Sequence, residues 1–194
     1  MEQRQALVQR GHNAKLDMAA LAVTEVLSHN GVKHGFFGSY AVAVFGGERL
    51  THDVDIIVGE DVKAVRQQLL AGDENFYMTD ANKLKFRPGQ DVEVVVELLP
   101  GGKDQPIKLP DNYQHYPDHP AEPAQLPFLH PGVLVLTKLK RWMHISDSTR
   151  PASIARTAND MQDIKTILGW LIGHRLKVNF DMHPEKKRRS FSQG

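Results

Sequence analysis

Cysteine is absent from the 194 residues, which excludes a disulfide framework, thiolate zinc, iron–sulfur ligation and a cysteine nucleophile together. A dominant charge is missing too. The 24 Lys and Arg face 23 Asp and Glu for a formal net charge of +1, so the surface as a whole does not attract nucleic acid or an anionic membrane. No apolar run approaches the roughly 20 residues of a membrane span, and the first residues, charged and amphipathic, lack the apolar core of a signal peptide. These absences set the expectation of a cytoplasmic or nuclear protein with no membrane partner. What remains, 41% hydrophobic and 24% charged, is the balance of a globular chain that buries a core without staples.

Apolar residues at helical spacing (Leu16, Ala19, Ala20, Val23, Val26, Leu27) predict a first helix from about residue 13 to residue 29, stopped by Asn30-Gly31. Val32 to Phe37 reads as a strand, Gly38-Ser39 as a tight turn and Tyr40 to Phe45 as a helix. Asp53 to Val58 alternates into a second strand, and Asp61 can cap a helix running through Val65, Leu69 and Leu70. A hairpin is predicted for Phe76 to Thr79 and Lys83 to Arg87. Asp91 to Leu99 is the strongest β-branched run, and Val133 to His144 and Ile154 to Leu171 predict two helices. The fold class is therefore α/β in the α+β sense: a mixed β-sheet of four or five strands flanked by helices, plus C-terminal helices. Residues 102–131 are rich in Pro, His, Asp and Tyr and read as an insertion loop; 181–194, with Lys186-Lys187-Arg188-Arg189, reads as a basic flexible tail.

The chemistry concentrates between Phe37 and Ile56. Side chains alternate along a strand, so Asp53 and Asp55 project from one face, within reach of one divalent cation. Crowded carboxylates are costly unless a cation neutralises them, and oxygen-only ligands favour Mg²⁺ or Mn²⁺. A bare D-x-D also describes two solvated aspartates on an edge strand. The glycine turn upstream tips the balance: Gly38 lets backbone approach a ligand closely, and Ser39 sits at a helix start, where its hydroxyl and free amides suit a phosphate.

With these residues in place the segment resembles the nucleotidyltransferase superfamily that includes polymerase β, whose signature is an apolar strand, G-[GS], a spacer and D-h-[DE] with h apolar. Here that is Phe36-Phe37-Gly38-Ser39 and Asp53-Val54-Asp55-Ile56. Gly46, Arg49 and Thr51 extend it to a string similar to that of small antibiotic-modifying enzymes and AbiEii-type toxins. The resemblance implies a nucleotidyltransferase core over 1–101, followed by the insertion, a C-terminal helical region over 132–180 and the tail. It also implies a third carboxylate on a later strand, carried over here to Glu97 in Val96-Glu97-Leu98-Leu99-Pro100-Gly101, with glutamate where the family usually has aspartate. Glu93 shares its strand parity and competes for the role.

What the resemblance implies is transfer of NMP, AMP being the first expectation, from an NTP to a hydroxyl acceptor, with Mg²⁺ or Mn²⁺ on Asp53, Asp55 and Glu97. Gly38 and Ser39 would grip the β- and γ-phosphates. Arg49 would contact phosphate or tie the 46–52 loop to a carboxylate. Lys138 matches a lysine that reaches the triphosphate in similar enzymes, the alternative being a solvated helix face. The acceptor, whether small molecule, RNA or protein, is not specified. A second class of function is a catalytically degenerate member that serves as a binding module for nucleotide, RNA or a protein partner; intact Asp53 and Asp55 favour the enzyme, and Glu97 in place of aspartate favours the module. Asp160 and Asp163, similar to a K-D-x-x-D-[IL] pattern with Asn159 in place of the lysine, read as structural, bonding helix ends and loops. His115, His119 and His130 suit acceptor recognition better than zinc, their spacing being irregular.

Overall fold

A computed structural model describes residues 2–89, 92–101 and 126–178. Its elements run α1 (Glu2–His29), β1 (His34–Phe37), α2 (Gly38–Val44), β2 (Asp53–Val58), α3 (Val62–Gly72), β3 (Phe76–Met78), β4 (Leu84–Gly89), β5 (Val92–Pro100), α4 (Pro131–Ile145) and α5 (Pro151–Gly173). The first helix begins at Glu2, further back than its apolar periodicity predicts. The basic tail and most of the insertion lie outside the described residues.

The strands form one mixed sheet in the order β1-β2-β5-β4-β3. Central β2 runs antiparallel to β1 and parallel to β5, and the β3–β4 hairpin continues outward from β5 in antiparallel pairs. Alternation sets the two faces of the central strands: Val54, Ile56, Val94 and Val96 are buried, whereas Asp53, Asp55 and Glu97 take the opposite parity and retain exposure. α1 and α3 pack on the sheet, bringing Val23, Val26, Leu27, Val65 and Leu69 into the core with the buried valines. Asp61 caps α3 as the sequence predicts, its carboxylate accepting from the Lys63 and Ala64 amides at 3.0 Å each.

Residues 126–130 differ from the loop expected of them. The Phe36 amide donates to the Pro127 carbonyl at 2.7 Å, and the Leu129 amide to the Phe36 carbonyl at 3.0 Å, so this segment bridges the outer edge of β1. Phe128 is thereby driven into an aromatic cluster, with ring centroids 5.7 Å from Phe36, 5.8 Å from Tyr40 and 6.0 Å from Phe45. His130 serves as the N-cap of α4, its Nδ1 accepting from the Gly132 amide at 3.0 Å, while His115 and His119 lie outside the described residues.

The C-terminal helix pair is part of the same core. Val133, Leu134, Ile164, Ile167 and Leu171 join the cluster that holds the sheet residues, and Trp170 packs on Phe45 at 4.8 Å between centroids. Ile167→Ala, at a side chain with no exposed surface, is expected to cost roughly 2–5 kcal/mol through cavity formation. Calorimetry should show one transition at lower temperature; a separate early transition would mean that the helices melt as an independent unit.

Candidate functional site

The turn from β1 into α2 is shaped by one carboxylate. Gly38 has φ +70°, and a Cβ built on it would lie 1.8 Å from Oδ2 of Asp55. No side chain fits there. Asp55 instead presses against the glycine backbone and accepts the Ser39 amide, closing an orphan donor at the start of α2. The Gly38-Ser39 pair thus serves Asp55 directly, a role that the phosphate reading of the sequence does not contain.

Register supplies the rest of the acidic face. Asp55 pairs with Glu97 across the parallel β2–β5 ladder, and Asp53 with Val95, so Asp53, Asp55 and Glu97 share one side of the sheet. Burial, then the like charges of Asp53 and Glu97, push the Asp55 carboxyl up to about 7, against the opposing pull of the Ser39 amide and the Lys138 ammonium. Asp53 accepts the Thr51 hydroxyl, and Thr51 is buried. Glu93 is separated from this group by its partners: Lys85 donates to it at 2.6 Å, and Tyr77 and Arg87 donate as well. Those bonds, led by that of Lys85, hold its carboxyl down at about 2. It lies on the exposed β4–β5 surface and is already neutralised, so register and partners both set Glu97 beside Asp55 in its place.

A cationic group stands on the other side of Ser39. Arg49 donates through Nη2 to the Ser39 hydroxyl and to Oδ2 of Asp163 at 3.2 Å. Lys138 donates to the same Oδ2 at 2.7 Å and lies 3.9 Å from Asp160. Arg141 closes on Asp160 through Nε at 2.7 Å and through Nη2. Lys138 is 4% exposed and its field reaches Asp55, so it is no solvated helix-face lysine. Asp160 and Asp163, on the inner face of α5, bind side-chain cations of α4 and of the 46–52 loop rather than helix ends. The Nε of Arg49 is buried and has no partner among the described residues, an unmet donor on the side chain that reaches Ser39.

The donor chemistry at the acidic face suits a hard divalent cation: three carboxylates, no nitrogen or sulfur, one of them forced towards its neutral form by its neighbours. Among the described residues, no group of three or more His, Cys, Asp or Glu side chains is set to hold a metal ion as it stands. Also among them, no helix is long and apolar enough to cross a membrane.

No protein-family model and no curated protein matches the chain. Among solved structures, an antigenic nucleotidyltransferase-like protein from Paracoccidioides brasiliensis is similar at TM-score 0.60 and 15% identity, over 80% of this chain and 76% of its own. That likeness makes the architecture a nucleotidyltransferase fold. The antibiotic-resistance factor ANT(2'')-Ia gives TM-score 0.49 at 8% identity over 93% of this chain and 96% of its own. CdnC from E. coli, with ATP, gives 0.39 at 14% identity over 94% and 72%.

Two outcomes follow from the Gly38–Asp55 contact. Gly38→Ala is expected to lose about 2 kcal/mol or more in urea unfolding, from left-handed strain and the clash. Asp55→Ala in that background should return part of the loss, because it removes the clashing atoms. Between pH 4 and 7 the folded state holds a proton on Asp55 that the unfolded chain, with a carboxyl near its usual 3.8, has released. Stability from this group therefore falls as pH rises through that window. Asp55→Asn should raise the Tm of the metal-free protein at pH 8 and leave it unchanged near pH 4; an equal shift at both values would refute the charge crowding.

Proposed function

We propose that the chain is a divalent-metal-dependent nucleotidyltransferase that moves NMP, with AMP from ATP the first choice, onto a hydroxyl of an acceptor. The observation that carries this reading is the placement of Glu97 directly beside Asp55 and on the face of Asp53, in a sheet of nucleotidyltransferase architecture. Asp53 and Asp55, with Glu97, are the residues that would hold Mg²⁺ or Mn²⁺. Bound there, the ion supplies charge stabilisation to the α-phosphate and the departing pyrophosphate. The Thr51 hydroxyl on Asp53 and the Ser39 amide on Asp55 fix the two carboxylates in orientation, leaving each with a further lone pair.

On the phosphate side, Arg49 and Lys138 offer positive charge beside Ser39, and the unmet Nε of Arg49 suits a phosphate oxygen. Glu97, exposed at the rim, accepts the proton of the acceptor hydroxyl as that oxygen bonds to the α-phosphorus. The bond from the α-phosphorus to the bridging oxygen breaks, and its electron pair leaves with pyrophosphate.

The second reading is a binding module without turnover, favoured by the absence of a ready three-carboxylate cage among the described residues. Labelled NTPs with Mg²⁺ or Mn²⁺, offered with tRNA, hydroxylated metabolites and proteins, test the first reading by transfer of label. If Glu97 activates the acceptor, Glu97→Gln keeps NTP affinity within about three-fold and loses roughly 10²–10⁴ in turnover. Wild-type protein that binds NTP and labels no acceptor would favour the module.

A further inference from the structure

The Arg49 guanidinium and the Lys138 ammonium come from different parts of the chain and meet on one atom. Arg49 reaches from the loop before β2 and Lys138 from α4, yet Nη2 of the first and Nζ of the second both donate to Oδ2 of Asp163, at 3.2 and 2.7 Å. Asp163 belongs to a third element, α5, and its side chain is 3% exposed. Lys138 is buried as well; its ammonium is held by this oxygen, lies 3.9 Å from Asp160 and extends its field to Asp55. A buried charge keeps one orientation when its counter-ion is fixed. Arg49 spends Nη2 on Asp163 and the Ser39 hydroxyl, and its buried Nε has no partner among the described residues.

Asp160 provides an internal comparison. It lies three residues earlier on the same helix and is fully buried, but its short contacts go to Arg141 of α4, whose side chain is half exposed. One buried aspartate therefore anchors the cations that adjoin Ser39, and the other anchors the helix pair.

We infer that Asp163 is a positioning residue for the nucleotide's β- and γ-phosphates: it fixes the Lys138 ammonium and the Arg49 guanidinium beside Ser39, and through them sets how strongly the chain prefers a triphosphate to a monophosphate. This rests on the nucleotidyltransferase reading above, in which Arg49 and Lys138 face phosphate. Asp163 touches no substrate. Its removal acts by releasing two charges from their shared anchor, an effect that scales with the number of phosphates on the ligand.

The full-length protein with Mg²⁺ is titrated with ATP and with AMP by calorimetry, as wild type and as Asp163→Asn, Asp163→Glu and Asp160→Asn, with Tm recorded for each. Asp163→Asn is expected to weaken ATP about ten-fold or more, the scale of a charge-assisted contact, while AMP changes by less than about two-fold. Asp163→Glu, which restores the charge, should recover part of the ATP preference and serves as the readout if the asparagine variant does not fold. Asp160→Asn should lower Tm and keep the wild-type ratio of ATP to AMP affinity. An unchanged ratio in the Asp163 variants, or an equal loss in Asp160→Asn, overturns the positioning role. Wild-type protein with no preference for ATP over AMP overturns the phosphate reading itself, and this inference with it.

Discussion

The acidic face is organised around the crowding of one carboxylate. Asp55 is held by the β2–β5 register next to Glu97 and by its own strand next to Asp53, so it carries more negative neighbourhood than burial tolerates. The fold answers with a glycine in a left-handed turn, which lets the carboxylate rest on backbone, and with the Ser39 amide, which donates a hydrogen bond to it. The same serine receives Arg49 through its hydroxyl. A charge on β2 is thus linked through one turn to a loop, to α5 and to α4, in the spatial order Asp55, Ser39, Arg49, Asp163 and Lys138.

That linkage gives the C-terminal helices a reason to be where they are. Their apolar faces enter the core through Val133, Leu134, Ile164 and Ile167, but apolar contact alone leaves rotation about the helix axis loosely specified. The ion pairs of Lys138 with Asp163 and of Arg141 with Asp160 fix that rotation. Buried pairs of this kind contribute little net stability and much orientation. At this site orientation is the useful quantity, because it turns an ammonium on α4 towards a carboxylate on β2.

Most elements were legible from period and punctuation. Asp53 to Val58 alternates cleanly, Asp61 announces a helix start, and Asp80-Ala81-Asn82 separates two strand-like runs that do pair. The shared face of Asp53 and Asp55 follows from strand alternation alone, and register then sets Glu97 rather than Glu93 opposite Asp55. What was not legible has common physics. Lys138, expected to reach phosphate with a solvated helix face as the alternative, is buried on Asp163, an ion pair invisible locally because the partner lies 25 residues further on, on another helix. The pairing of residues 127–129 with β1 is made by backbone amides and carbonyls, which carry no side-chain pattern. Asp160 and Asp163 stand three apart on one helix face, a spacing visible in the sequence, but nothing local names the cations they bind.

The hydrogen-bonded seam between Phe36 and its neighbours Pro127 and Leu129 covers part of the outer edge of the sheet. The chain leaves the sheet after Pro100 on central β5 and returns at Leu126 alongside the outer strand β1, and both ends are held, one by the β2–β5 ladder and the other by Phe128 in the aromatic cluster. An uncovered edge strand is a template for pairing with another chain. With the Pro127 carbonyl and the Leu129 amide both seated on Phe36, the β1 edge of the sheet that carries Asp53 and Asp55 is already occupied at that residue.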